Sequence, residues 1–472
     1  MIRWLTARLF RFLGRRALRL KRVDWGLANF QRAVEQEPGN LHTMLEIAWC
    51  LYLRDNYQSM LEKCDQVLQK SPNYATARGY RALALANVGR TQEAVHDVRR
   101  LLRISPNWKD KDLGFWEGHL GGWLVDLGQY AEALEPLKRA VGLVPDEAAW
   151  RHRLGIAYRE LGRTDESIKE LEKTLKLDST CPYTYHALGV TFAKMRQFDK
   201  AVDAYRHALH FRPDEADTHV NLGLAYGELG RVDEEISEYK KAIEIAPNDF
   251  IALTNLGVAY SQSGRSDFAI EAWNRAIKCD PSSKEVWGSL SMEYERLGRW
   301  QEALDACYEI ERLAPNNAIA QANVAVFLNR LGKFDEALEK AREAIRSDPN
   351  CPDGYLHAGV ALEGLGDNPS AIREYCKVIE LKPDNLYALV NLGCTYLKLG
   401  RCDEAIEWLK RATELHPNSP EAHDSLGTAY FKTGDGERAM EELGIVQRLD
   451  PKLRGELCKL LGETHAIGQR SR

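Results

Sequence analysis

Residues 386–419 read LYALVNLGCTYLKLGRCDEAIEWLKRATELHPNS, and their arrangement of glycine, alanine, aromatic and proline residues recurs along the chain every 34 residues. Twelve of the seventeen prolines fall on this interval, with Ser179 in place of one more. Fixed self-similarity of this length is typical of a stacked array of short structural repeats. Besides Pro417, the prolines on the interval are Pro38, Pro72, Pro106, Pro145, Pro213, Pro247, Pro281, Pro315, Pro349, Pro383 and Pro451.

With the proline placed at position 32, residues 7–453 divide into thirteen units of 34 positions and one five-residue insertion. The units start at residues 7, 41, 75 and 114 and then every 34 residues up to 420. We use these unit positions throughout. Since the units account for nearly the whole chain, the sequence leaves no room for a separate catalytic domain.

Three positions predict the structure of each unit. Position 8 is small in all thirteen units and is glycine in nine. Glycine inside a helix costs about 1 kcal/mol relative to alanine, so its recurrence indicates close approach of a second helix, with alanine at position 20 as the facing residue. Glycine at position 15, found in ten units, predicts a left-handed helix end, and the proline ends the second helix. Each unit is therefore predicted to be two antiparallel helices of about 13 residues.

This pattern resembles the tetratricopeptide repeat over residues 7–453. The resemblance implies an all-α, right-handed superhelical solenoid of helix pairs, with the first helices lining a concave groove. The units are also similar to the repeat superhelix of the O-linked N-acetylglucosamine transferases. The predicted organisation has four segments. Residues 1–108 hold units 1–3 with a basic N-terminal helix, and residues 109–113 are an insertion. Residues 114–453 hold units 4–13, and residues 454–472 form a C-terminal cap helix and tail.

The insertion, Lys-Asp-Lys-Asp-Leu at residues 109–113, precedes a glycine-rich helix. Weak helix propensity beside an insertion predicts a bend or a looser joint. The alternative is that the preceding helix extends by one turn.

Position 6 carries a row of asparagines that would face the predicted groove. An asparagine amide both donates and accepts hydrogen bonds, so such a row can hold the backbone of an extended peptide. A comparable row lines the groove of the transferases that the units resemble. The alternative is a set of solvated side chains shared with a common repeat sequence. The candidate peptide-binding residues are Asn221, Asn255, Asn323 and Asn391, and Arg153, Ala187, Ser289, His357 and Ser425 interrupt the row.

A second candidate surface is a row of arginines near the N-terminus. Arg8, Arg11, Arg15 and Arg19 share one helical face, and no acidic residue precedes Asp24. Residues 1–22 could bind an acidic partner, contact an anionic membrane surface, serve as a transit segment, or form a solvated end of the array.

Composition narrows the class of function. The formal net charge is −5, which argues against nucleic acid as a partner. The ten cysteines are scattered without paired spacing, and no sustained apolar run occurs, so we expect a cytoplasmic chain. No catalytic, metal-binding or phosphate-binding motif is found, so we expect no cofactor, metal or small-molecule substrate.

The sequence thus predicts a non-enzymatic scaffold that binds extended peptide segments or partner proteins in its groove. Two alternatives stay open: an accessory or substrate-recruiting relative of a glycosyltransferase, and an assembly factor that docks on a membrane through its basic N-terminal helix. Fold-level resemblance does not identify the partner.

Overall fold

A computed structural model describes residues 2–105 and 108–452, which contain 26 α-helices and no β-strand. The chain divides into two compact units, Met1–Ala246 and Pro247–Arg472. The first holds α1 Ile2–Arg19, α2 Val23–Gln36, α3 Leu41–Tyr52, α4 Tyr57–Lys70, α5 Ala75–Asn87, α6 Thr91–Ile104, α7 Asp110–Asp126, α8 Tyr130–Leu143, α9 Ala148–Glu160, α10 Thr164–Leu177, α11 Pro182–Lys194, α12 Phe198–Phe211, α13 Ala216–Glu228 and α14 Val232–Ile245.

The second compact unit continues the same alternation of two helices per repeat. It holds α15 Phe250–Gln262, α16 Ser266–Cys279, α17 Lys284–Arg296, α18 Trp300–Leu313, α19 Ala318–Arg330, α20 Phe334–Ser347, α21 Pro352–Gly364, α22 Asn368–Leu381, α23 Leu386–Lys398, α24 Cys402–Leu415, α25 Pro420–Lys432 and α26 Gly436–Leu449. The helices form thirteen pairs that coincide with the thirteen predicted repeats, so the all-α repeat fold is confirmed. The predicted cap helix at residues 454–472 lies outside the described residues.

Position 15 adopts a left-handed backbone conformation in every repeat. All ten predicted glycines have positive φ, between 70° and 84°. The other three repeats place Lys21, Asp55 and Arg196 there, with φ of 56°, 55° and 56°. Because side chains with a Cβ atom adopt this conformation at a cost, the turn geometry of the repeat overrides the local preference of these three residues.

The small residue at position 8 makes room for the side chain at position 24 of the same repeat. A Cβ atom added to Gly189 would lie 2.4 Å from the Tyr205 ring, and one added to Gly223 would lie 2.6 Å from the Tyr239 ring. The predicted close approach of two helices is therefore present. The nearest partner of the added Cβ atom is the position-24 side chain. The position-20 residue also lies close in at least one repeat, where Ser291 Oγ donates to the backbone oxygen of Ala303 at 3.4 Å.

Position 4 links each of eight repeats to the repeat before it. A side chain with a polar hydrogen donates to the backbone carbonyl oxygen of the residue six positions earlier, which is position 32 of the preceding repeat. This bond satisfies a backbone carbonyl in the turn between two repeats, just after the end of the preceding helix. The pairs are Arg78 to Pro72, Arg151 to Pro145, Tyr185 to Ser179, His219 to Pro213, Trp287 to Pro281, Gln321 to Pro315, Tyr355 to Pro349 and His423 to Pro417.

The inserted residues extend the helix that follows them. Helix α7 begins at Asp110 and has 17 residues, four more than most first helices, while α6 keeps the usual 14 residues of a second helix. The expectation that the preceding helix is extended is therefore wrong. Asp110 and Asp112 lie in the first turn of α7, where carboxylates are favoured by the positive end of the helix dipole.

Candidate functional site

The first helices of three consecutive repeats in the second compact unit form a concave site of about 600 Å³. Helix α21 contacts both α19 and α23, so side chains from all three helices converge there. We call it the asparagine site. Its lining combines amide, apolar and charged side chains: Asn323, Val326, Asn329, Arg330, Asp353, Leu356, His357, Val360, Tyr387 and Asn391.

Two of the four predicted asparagines meet in this site. Asn323 lies on α19 and is exposed, and Asn391 lies on α23 and is half-buried. Among the described residues, no side chain or backbone group forms a hydrogen bond with the Asn323 amide, so it is available to a ligand. The Asn391 amide forms a hydrogen bond with the hydroxyl of buried Tyr375, which orients it. Tyr375 donates its own hydrogen to Glu363 Oε2 at 2.9 Å.

Asn329 is a third amide in the site that the sequence analysis did not single out. Its Nδ2 donates to the backbone oxygen of His357 at 3.0 Å, and this bond joins α19 to α21. Its Oδ1 is buried and has no hydrogen-bond partner among the described residues. A buried acceptor without a donor is costly, so this oxygen is suited to receive an N–H group from a ligand. Asn329 occupies position 12, which does not repeat as asparagine, and the repeat pattern therefore gave no signal.

His357 lines the site from α21. Burial lowers the pKa of His357 to about 4, with the nearby Arg330 adding to the shift and Asp353 opposing it. The ring is therefore uncharged at neutral pH and can exchange hydrogen bonds without attracting a charged group. Arg330 and Asp353 contribute opposite charges to the lining.

Apolar side chains complete the site. Val326 and Val360 line it from α19 and α21, and Tyr387 projects from the start of α23 with 70% of its surface exposed. Amides beside apolar contacts can hold the polar backbone of a peptide and still accept its side chains. The lining therefore offers both hydrogen-bonding groups and apolar contacts to a ligand.

The remaining predicted asparagines lie on other helices. Asn221 is on α13 of the first compact unit and Asn255 is on α15 of the second, and both are half-buried. Neither lines the asparagine site. At one interruption of the row, Arg153 forms an ion pair with Asp126, and at another Ser289 donates to the backbone oxygen of Glu285 at 3.0 Å.

The predicted arginine row divides into paired and unpaired members. Arg11 is largely buried and forms an ion pair with Glu37, whose carboxyl pKa its hydrogen bond lowers. Arg15 pairs with Glu46 at 2.9 Å. Arg8 and Arg19 have no ion pair with any described residue, and Arg8 lies over the ring of Trp4, 5.4 Å from its centroid. Two of the four candidate arginines thus pair with acidic side chains of the first two repeats, and two have no ion pair with a described residue.

Comparison with protein families finds four models of one repeat class. Models described as "Tetratricopeptide repeat" match residues 146–214, 186–250, 238–271 and 328–385, and a model described as "TPR repeat" matches residues 395–434. Together they fall on the central and C-terminal repeats. No curated protein matches the chain.

Several solved structures match the chain. The crystal structure of MamA is 27% identical over 34% of this chain and 95% of its own, with a TM-score of 0.33. YrrB, described as a TPR protein with an unusual peptide-binding site, is 21% identical over 40% of this chain and 97% of its own, with a TM-score of 0.36. The APC/C hetero-tetramer Cut9-Hcn1 is 15% identical over 96% of this chain and 95% of its own, with a TM-score of 0.40.

Proposed function

Since the chain is a tetratricopeptide repeat protein, a class that serves as interaction scaffolds, we propose that its asparagine site binds an extended peptide segment of a partner protein. The amides of Asn323, Asn329 and Asn391 would hold the peptide backbone, and Val326, Val360 and Tyr387 would contact its side chains. The partner is a protein, and the chain itself contributes no catalytic step.

The observation that carries this proposal is the unsatisfied hydrogen-bonding capacity within the site. Among the described residues, none forms a hydrogen bond with the Asn323 amide, and none donates to the buried Asn329 Oδ1 atom. An extended peptide presents alternating N–H and C=O groups, so it can satisfy both side chains at once. A ligand recognised through its backbone would show little dependence on its side-chain sequence.

A peptide selection with purified full-length protein tests the proposal. Peptides of about 15 residues would be selected from a random display library, and the dissociation constant of a selected peptide measured by fluorescence anisotropy. We expect Asn323→Ala and Asn329→Ala each to weaken binding by about tenfold, because each removes one hydrogen bond to the peptide backbone.

Asn274→Ala is the matched control, because Asn274 is an exposed asparagine on α16, a second helix. Its affinity should equal that of the unaltered protein. Selected peptides whose affinity is unchanged by Asn323→Ala and Asn329→Ala would place binding elsewhere and overturn the proposal.

The alternative role as a substrate-recruiting relative of a glycosyltransferase requires the same peptide site and one further partner. A glycosyltransferase that binds the full-length chain, measured as a complex in size-exclusion chromatography, would favour it. The membrane-docking alternative concerns a different surface.

A further inference from the structure

Helix α1 exposes two parallel stripes of different chemistry. Leu5, Leu9 and Phe12 follow one another at helical spacing and are each more than half exposed. Arg8 and Arg19 are exposed along the neighbouring stripe, with Arg15 between them. Large apolar side chains at this exposure, beside a row of cations, make α1 an amphipathic surface helix.

Leu9, in the middle of the apolar stripe, lies at a position that is buried in other repeats. Leu9 occupies position 3 of its repeat and is 55% exposed, whereas Ala77 and Thr184 at the same position are fully buried. The opposite face of α1 packs normally, since the Phe30 ring contacts Gly14. Among the described residues nothing packs over Leu5, Leu9 and Phe12, so this surface is open to an occupant.

The charge on this surface has one sign. Eight arginines and lysines precede the first acidic residue, Asp24, and Asp24 itself pairs with Arg54 at 3.2 Å. Glu37 and Glu46 form ion pairs with Arg11 and Arg15. Arg8, Arg16 and Arg19 therefore keep their charge uncompensated by any described residue.

We propose that α1 docks the protein on an anionic membrane surface. Leu5, Leu9 and Phe12 would enter the boundary between headgroups and acyl chains, while Arg8 and Arg19 contact lipid phosphate groups. Trp4, half-exposed beside Arg8, is of a residue type favoured at that boundary. Arg16 falls within the apolar stripe, and its long side chain can extend to the headgroups.

This occupant accounts for both stripes together. An acidic peptide bound to the arginines would leave the apolar stripe in water, and a second copy of α1 would bring like charges together. The docking is peripheral, since none of the helices in the described ranges is long and apolar enough to cross a membrane.

Vesicle flotation with the full-length protein tests the docking. The protein should float with vesicles of phosphatidylcholine that contain about 30% phosphatidylserine and not with phosphatidylcholine alone. The double variants Arg8→Glu/Arg19→Glu and Leu9→Ser/Phe12→Ser should each lower the bound fraction at least about tenfold, since the first removes attraction and the second removes buried apolar area.

Lys169→Glu/Lys176→Glu is the matched control, because it makes the same charge change at two exposed lysines on α10 and should float like the unaltered protein. Circular dichroism should be unchanged in all variants, since the altered side chains are exposed. Three results would overturn the proposal: no flotation with anionic vesicles, equal flotation of all variants, or binding to poly-glutamate in place of vesicles, which would assign the surface to an acidic protein.

Discussion

The indole ring of Trp273 packs directly against the backbone of Gly257. A Cβ atom added to Gly257 would stand 2.4 Å from the indole nitrogen. That nitrogen donates to the backbone oxygen of Thr254 at 3.2 Å, and the bond fixes the ring in place. The glycine at position 8 and the ring at position 24 are therefore one packing unit, which determines how closely the two helices of a repeat approach.

This contact predicts opposite outcomes for two glycine substitutions. Gly257→Ala should lower the free energy of unfolding by about 1–3 kcal/mol, because the ring cannot move away without losing its hydrogen bond. Gly288→Ala on α17 should raise it by up to about 1 kcal/mol, since no atom lies near the added methyl group and alanine favours the helix. Urea unfolding followed by circular dichroism measures both, and equal shifts in the same direction would contradict the packing account.

The left-handed turn predicts that glycine is the better residue at Arg196. Arg196→Gly should stabilise the protein by about 1 kcal/mol, because the Arg196 backbone has a φ of 56°. Its exposed ion pair with Glu228 contributes little against this. Gly230→Ala, the reciprocal change at φ 71°, should destabilise by a similar amount. Thermal unfolding of the two variants measures the difference, and a destabilised Arg196→Gly variant would refute the prediction.

The buried ion pair between Arg78 and Asp97 predicts a large loss on truncation. Their side chains are almost fully buried, 2.7 Å apart, and Arg78 also donates to the Pro72 oxygen in the preceding repeat. Arg78→Met should lower the free energy of unfolding by about 3 kcal/mol, because Asp97 is left with Arg81 alone. Arg90→Met, which breaks an exposed pair with Glu93, is the control and should change the stability little. If urea unfolding showed a similar loss of stability for Arg78→Met and Arg90→Met, the hydrogen bond from position 4 would not be an important link between repeats.

The depressed pKa of His357 predicts a loss of stability in acid. The group ionises near its ordinary value of 6.5 in the unfolded chain and at about 4 in the folded one, so the unfolded state binds more protons between these values. Stability is complete above pH 6.5 and falls as the pH drops towards 4. His357→Gln should remove up to about 2 kcal/mol of the loss between pH 7 and pH 5. Exposed His96→Gln is the control, and an unchanged pH profile in His357→Gln would contradict the assignment.

The repeat could be predicted from the sequence because its key residues have a fixed type. The left-handed backbone favours glycine at position 15, and the neighbouring helix leaves space only for a small residue at position 8. The same residue types therefore recur in the sequence. The hydrogen bond from position 4 to the preceding repeat was not predicted. Arginine, tyrosine, histidine, tryptophan and glutamine all form it, and they share only a long side chain with a hydrogen-bond donor. Lys21, Asp55 and Arg196 show the converse, because the fold imposes a conformation that these residues do not favour.

The candidate site was only partly predictable for the same reason. Asn323 and Asn391 belong to a visible row, but which asparagines meet depends on the packing of α19, α21 and α23. Asn329 does not recur, and its importance follows from a buried oxygen atom that only the structure reveals. That the four asparagines of the row bind a peptide stays a prediction.

Backbone recognition at the asparagine site is the central claim, and N-methylation of a bound peptide tests it most directly. A peptide selected for binding would be synthesised with single N-methyl groups at successive backbone amides, and its affinity measured for the unaltered protein and for Asn329→Ala. We predict that one N-methyl group weakens binding to the unaltered protein by about tenfold and has no effect on Asn329→Ala, because both changes remove the same hydrogen bond. Equal losses in both proteins at every position would contradict the account.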